Sequence, residues 1–197
     1  MAATALGADT KTGWCVLVGL GGDPGAPAVV SRQRVGLCPD TLPAFAYHAA
    51  AELPADEAAA VVEKVHAAAS ALATDALRLM VTELARQGHE VATLGVAAGS
   101  LGGRRDDLAS ILRSHTRWHA AEGELYREAL VDAGDALGIP IVRFAKGAAF
   151  DELGGALGRD PVTLMGTISG WGKALGSPWR KEHKEAAAAA WLALLRR

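Results

Sequence analysis

The chain has few of the features that mark secreted or membrane-spanning proteins. It contains only 2 cysteines, Cys15 and Cys38, too few for a disulfide framework in 197 residues. Its longest apolar run, 186–195, is about half a membrane span, and the N-terminus has no basic segment followed by an apolar core. These absences predict a soluble cytoplasmic protein with buried free thiols and no membrane partner.

A strong excess of charge is also missing. The formal net charge of -2 and the pI near 6.3 exclude a globally basic surface that coats nucleic acid. Any contact with nucleic acid must therefore be local. Neither a G-x-S-x-G elbow nor a G-x-G-x-x-G after a strand is present, so acyl transfer and dinucleotide chemistry have no support.

The order of predicted elements indicates an α/β fold. Two short apolar runs, 4–9 and 14–20, flank a polar turn containing Gly13 and predict a hairpin, to which 28–37 adds a third antiparallel strand. Helical spacing from 54 to 87 precedes a strand at 90–98, and a mostly helical stretch at 106–137, with a possible interruption near Ser114, precedes another at 139–144. We expect one domain over 1–197, with helices packed on a five-stranded mixed sheet.

Glycines dominate the stretch that follows the fifth strand. Residues 146–178 have weak periodicity, which favours a loop-rich excursion with one short helix near 160–168. A final helix over 181–195 has an alanine-rich face. Such a face could also support a homodimer.

Asp9 is the first candidate for chemistry. It stands where the first apolar strand runs into its turn, at the mouth of the sheet, where a carboxylate can stay hydrated or hold a cation. A turn cap that accepts hydrogen bonds from backbone amides is the alternative.

The helix that begins near His115 supplies two more candidates, Glu122 and His119. Glu122 falls on the apolar side of the helix, where a carboxylate needs a partner or a metal. A hydrogen-bonded helix contact explains the same position. His115 and His119 are also spaced as a possible zinc pair, but the sequence determines no third ligand and has Thr116 where zincins have Glu.

The start of the last helix is the third candidate. Glu182 and Glu185 share one helix face in the first turns, where the helix dipole favours acids, so capping alone could explain them. The densest basic patch surrounds them and is a plausible place for phosphates, although a solvated charged face explains it equally well. Its members are Lys173, Arg180, Lys181, His183 and Lys184.

These pieces resemble the ribonuclease H-like superfamily, and within it the resolvase-type branch. The resemblance lies in the strand ending at Asp9, the G-A-D-T-K-T-G-W turn, and the E-x-x-E-A opening of the last helix at 182–186. It implies two-metal phosphodiester hydrolysis, with Mg²⁺ or Mn²⁺ held by carboxylates of the first strand and the last helix. The fourth strand ends in Ala97 and Ala98, where the branch has an acid.

The resemblance leads to two hypotheses. In the first, the chain is a divalent-metal-dependent nuclease acting on structured DNA or RNA. Its metal ligands would be Asp9, Glu122 and Glu185, with Glu182 auxiliary, His119 transferring protons, and Lys11 and Lys184 contacting phosphates. In the second, the chain is a non-catalytic ribonuclease H-like module that binds nucleic acid or a protein partner.

Overall fold

A five-stranded mixed sheet organises the computed structural model, which describes residues 2–98 and 107–197. The strands are β1 (Ala2–Lys11), β2 (Trp14–Gly21), β3 (Ala28–Gly36), β4 (His89–Ala98) and β5 (Ile141–Ala145). Their order across the sheet is β3-β2-β1-β4-β5, with β1, β2 and β3 antiparallel and β4 and β5 parallel to β1. The predicted architecture, three antiparallel strands followed by two helix-linked strands, is confirmed.

Helices cover both faces of this sheet. They are α1 (Ala46–Ala50), α2 (Ala55–Arg86), α3 (Leu108–Leu112), α4 (His115–Ala136), α5 (Ala149–Leu157), α6 (Pro161–Leu175) and α7 (Lys181–Leu195). The interruption near Ser114 is confirmed, since α3 ends at Leu112 and α4 begins at His115. No helix among the described residues has the length and apolar character needed to cross a bilayer.

Alternation along the central strands divides the core into two layers. Leu6 and Ala8 of β1 pack with α2 and α4, whereas Val16 and Val18 of β2 pack with α5, α6 and α7 on the opposite face. Successive side chains of a strand point to opposite faces. Asp9 pairs with Val16 in the register of the hairpin and therefore lies on the α7 face.

The expectation of a loop-rich excursion over 146–178 is wrong, because two helices, α5 and α6, occupy most of it. Glycine lowers helix propensity by about 1 kcal/mol per residue. The many glycines of this stretch therefore favoured a loop in the prediction, although packing against the rest of the fold makes it helical. Here some glycines make close contacts possible. A Cβ on Gly172 would lie 2.6 Å from the Trp179 ring, and one on Gly154 would lie 2.7 Å from the carbonyl of Arg159.

Both cysteines are free thiols, as predicted, but only Cys15 has the predicted burial. Cys15 is fully buried on β2, and burial raises the pKa of its thiol to about 12. Cys38 is half-buried, and its Sγ lies 3.5 Å from the carbonyl of Leu42. Neither forms a disulfide.

Candidate active site

Close contact between two backbones places α7 against Asp9. A Cβ on Gly7 would lie only 2.2 Å from the carbonyl oxygen of Ala186 and 2.2 Å from the amide nitrogen of Ala190. Only glycine permits this approach of strand and helix. Asp9 is two residues beyond Gly7 on the same face, and the first turn of α7 is one turn before Ala186. Asp9 therefore faces the N-terminal end of α7.

Asp9 is an ionisable group in a partly dehydrated position. Its side chain is 20% exposed, and its Oδ2 accepts a 2.6 Å hydrogen bond from the Nζ of Lys11. Burial raises the pKa of this carboxyl, Lys11 opposes the shift, and the nearby charge of Glu182 adds to it. The net direction is upward, so the lysine does not fully compensate the charge of Asp9.

Glu185 completes the acidic group from the last helix. Burial raises the pKa of the Glu185 carboxyl, and the negative charge of Asp9 raises it further, while Lys181 and Lys11 act in the opposite direction. Asp9 thus interacts with both predicted acids of α7. We call Asp9, Glu182 and Glu185 the acidic cluster.

The basic patch predicted at the start of α7 carries fewer positive charges than its sequence indicates. His183 is buried, and its Nδ1 accepts a hydrogen bond from the amide of Arg180 at 3.4 Å. Burial and the neighbouring Arg32 lower the pKa of His183, so this imidazole is neutral at pH 7. Arg180 and Lys181 are exposed, and Lys184 is half-buried one residue before Glu185.

Arg32 fixes the segment that leads into α7. Its Nη1 donates to the carbonyls of Gly176 at 2.9 Å and Pro178 at 2.8 Å, and its Nη2 donates to that of Leu175 at 2.7 Å. These bonds join β3 to the end of α6 and to the loop after it. They hold the first turn of α7, and with it Glu182, beside the sheet.

A groove of about 460 Å³ adjoins the acidic cluster between β3 and the start of α7. Trp14, Arg34, Arg180 and Glu182 are among its lining residues. The guanidinium of Arg34 lies over the Trp14 ring, 4.3 Å from its centroid. In the register of the sheet Arg34 lies beside Val16, and Val16 lies beside Asp9. The backbone of Arg34 is therefore about two strand spacings, roughly 10 Å, from that of Asp9.

The structure does not bring Glu122 or His119 to the acidic cluster. Both are on α4, which packs on the α2 face of the sheet, whereas Asp9 and α7 are on the other face. Glu122 is 1% exposed. Its carboxylate accepts hydrogen bonds from the amides of Ala46, Tyr47 and His48 at 2.8 to 3.2 Å, so it caps the start of α1 from outside that helix.

The acidic cluster has the chemistry of a divalent-cation site. Carboxylate oxygens are the ligands that Mg²⁺ and Mn²⁺ prefer. Burial raises the pKa of the Asp9 and Glu185 carboxyls, and the charge of a neighbouring acid raises each of them further. A cation among Asp9, Glu182 and Glu185 would offset the electrostatic repulsion that Asp9 has with each of the two glutamates.

The order and pairing of the strands, with helices on both faces, define a ribonuclease H-like fold. The chain is similar to a solved structure described as Thermus thermophilus RuvC, with a TM-score of 0.50 and 14% identity over 98% of this chain and 93% of that one. A second structure, T. thermophilus RuvC in complex with Holliday junction substrate, aligns with a TM-score of 0.49 and 13% identity over the same shares. No family model and no curated protein matches the chain. The likeness to the first of these structures supports the fold and nothing beyond it.

Proposed function

We propose that the chain is a divalent-metal-dependent nuclease that hydrolyses phosphodiester bonds in structured DNA or RNA. One observation carries the proposal. Asp9 from the first strand and Glu185 from the last helix interact in a partly dehydrated position, where each carries a raised pKa. Acids from opposite ends of a chain are brought together at a cost in stability, and a bound cation would offset that cost.

Asp9 and Glu185 would hold Mg²⁺ or Mn²⁺, with Glu182 as an additional ligand. When bound, such a metal polarises the phosphoryl group and activates water. The close contact of β1 with α7 at Gly7 would fix the spacing of Asp9 and Glu185 before substrate arrives. Lys11 donates to Asp9 at 2.6 Å, and on metal binding its ammonium would be released to contact a phosphate.

The groove beside the acidic cluster supplies a path for the nucleic-acid backbone. Arg34 on β3 and Arg180 before α7 are exposed and line it. Guanidinium groups bind phosphates in bidentate geometry, and such contacts position a strand without selecting its sequence. A backbone lying along this groove would carry one phosphodiester to the acids. Lys184 is a further phosphate contact in this proposal.

The direct test is cleavage by the purified chain in Mg²⁺ or Mn²⁺. End-labelled four-way junctions, duplex DNA and RNA–DNA hybrids of matched sequence would be incubated with either metal, and with EDTA as the control. We expect nicking of at least one of these substrates only when the metal is present. Absence of cleavage on all of them, at metal concentrations up to the millimolar range, would remove the nuclease assignment.

The groove is tested separately by the salt dependence of binding. Arg34→Gln is expected to weaken binding of a four-way junction in Ca²⁺ and to reduce the slope of log K against log salt by about 1, because one phosphate contact is lost. Arg78→Gln is the matched control, since Arg78 is an exposed α2 residue paired with Asp75 at 2.7 Å. An unchanged slope in Arg34→Gln would place the backbone elsewhere.

Two observations favour a second function, that of a non-catalytic nucleic-acid-binding module. Lys11 already places a cation 2.6 Å from Asp9, and β4 ends in Ala97 and Ala98 without an acid. In such a module Lys11 would substitute permanently for the metal. Junction binding that depends on Arg34, with no cleavage in either metal, would support this function over the nuclease.

A further inference from the structure

Three histidines meet on the face of the sheet opposite the acidic cluster. His48 is on α1, and His115 and His119 are in the first two turns of α4. One ring nitrogen from each lies within 4.8 Å of the other two. We propose that His48, His115 and His119 form a site for Zn²⁺ or a similar borderline transition metal, distinct from the site proposed for Mg²⁺ or Mn²⁺. We call them the histidine cluster.

The geometry of the histidine cluster is close to that of a metal site. The ring centroids are 4.6 Å apart for His115 and His119, 4.8 Å for His48 and His119, and 5.5 Å for His48 and His115. Tetrahedral zinc with Zn–N bonds of about 2.0–2.1 Å needs nitrogens about 3.4 Å apart. The nitrogens must therefore approach one another by up to about 1.4 Å, which is within reach of side-chain rotation because His115 and His119 are exposed.

Glu122 orients the third ligand. Its Oε1 lies 3.1 Å from the Nδ1 of His48, and three backbone amides hold the same carboxylate in place. With this acceptor beside it, Nδ1 would keep its proton when the metal is bound, and Nε2 would be the ligand atom. A buried carboxylate that accepts from the distal nitrogen of a ligating histidine is the usual second partner in zinc sites. Glu122 therefore contributes to the arrangement without binding the metal itself.

The donor set selects the metal. Three imidazole nitrogens and no carboxylate ligand suit Zn²⁺, Co²⁺ or Ni²⁺ and disfavour Mg²⁺, which prefers oxygen. Because His115 and His119 are exposed, the fourth position would open to solvent and hold water. The metal would join α1 to the start of α4. The capping carboxylate of Glu122 and the contact of the His48 ring with the Trp118 ring, 5.4 Å between centroids, already join these helices. The Tyr126 hydroxyl also donates a 2.7 Å hydrogen bond to the carbonyl of Ala44, just before α1.

The test uses the full chain without a polyhistidine tag. Zn²⁺ would be titrated in competition with a chromophoric chelator, and Co²⁺ binding would be followed by its ligand-field absorption. We expect one equivalent of each metal in the native protein. Glu122→Gln should weaken Zn²⁺ binding by about 10- to 100-fold, and His115→Ala and His119→Ala should weaken it by more.

Two control variants make the result specific. His89→Ala removes a histidine outside the histidine cluster, one whose Nδ1 lies 3.3 Å from the hydroxyl of Thr4, and should leave Zn²⁺ affinity unchanged. Asp9→Asn should also leave it unchanged, because the acidic cluster lies on the other face. Zn²⁺ binding that survives both His48→Ala and His115→Ala, or that is lost in Asp9→Asn, would overturn the proposal. So would the absence of measurable binding in the native chain.

Discussion

Asp9→Asn is expected to abolish metal-dependent cleavage and, at the same time, to stabilise the metal-free protein at neutral pH. The loss of activity follows from removing one charged ligand of the acidic cluster. Metal stabilisation of a developing charge is worth several kcal/mol, so the loss of cleavage should be about 10³-fold or more. The gain in stability follows because the Asp9 carboxylate is ionised where burial and Glu182 disfavour its charge.

The sign of the pH effect distinguishes this account from a simple loss of contacts. The folded-state pKa of Asp9 is raised above 3.8 and that of Glu185 above 4.5. Between the unfolded and folded pKa values the native state binds more protons, so the contribution of these groups to stability falls as pH rises through that window. Asn cannot ionise. The advantage of Asp9→Asn over the native chain should therefore grow from acid to neutral pH.

Thermal and urea unfolding with and without Mg²⁺ measures both parts of this prediction. Free Mg²⁺ at about 100 times its Kd should stabilise the native chain by about 2.7 kcal/mol, and Asp9→Asn should lose most of that gain. Asp135→Asn, at an exposed carboxylate of α4, is the matched control and should behave as the native chain does. If Asp9→Asn is stabilised by Mg²⁺ as fully as the native chain, the metal does not bind at Asp9.

Local sequence patterns were sufficient to predict the sheet and the elements that carry the acids of the proposed site. The apolar runs on either side of Gly13 predict β1 and β2. The hairpin alone then places Asp9 near the end of the sheet that carries the turn, whatever the arrangement of the other elements. The acids of α7 follow from the helical spacing of 181–195. Their meeting with Asp9 does not follow from spacing. It depends on the close contact at Gly7, and a single glycine within an apolar run does not predict such a contact.

The role of Glu122 lay beyond sequence reasoning for a different reason. Its buried position was predicted from the apolar side of α4, and the alternative of a hydrogen-bonded helix contact is the one observed. The partners, however, are the amides of 46–48, which lie 74 to 76 residues away in a stretch with no clear period. For the same reason, the sequence did not predict that His48 would join His115 and His119 in the histidine cluster. Periodicity identifies which face is buried but does not identify what covers it.

Gly7→Ala should cause a large loss of stability. The new Cβ would stand 2.2 Å from the carbonyl of Ala186 and from the amide of Ala190, both of them backbone atoms that no rotamer change can move. Overpacking usually costs about 1–3 kcal/mol, and a backbone clash of this kind should cost about 4 kcal/mol or more. Urea denaturation measures the change.

Gly36→Ala is the matched control, because Gly36 is also a strand glycine and a Cβ there meets no atom within 4 Å. It should change stability by no more than about 1 kcal/mol. Ala190→Gly should not rescue Gly7→Ala, since the clash involves the backbone of α7 and not the Ala190 side chain. Rescue would show that β1 and α7 are separated by side chains.

The same substitution tests how the acidic cluster is positioned. To accommodate a methyl at Gly7, α7 must move away from β1, and Glu185 on its first turns moves with it. Folded Gly7→Ala protein, kept at low temperature, should therefore lose Mg²⁺-dependent stabilisation even though every acid is still present. If it retains that stabilisation in full, the contact at Gly7 contributes to folding alone and the spacing of Asp9 and Glu185 is set elsewhere. Loss of both the stability of the metal-free protein and its stabilisation by Mg²⁺ would mean that this one backbone contact supports the core and the proposed metal site together.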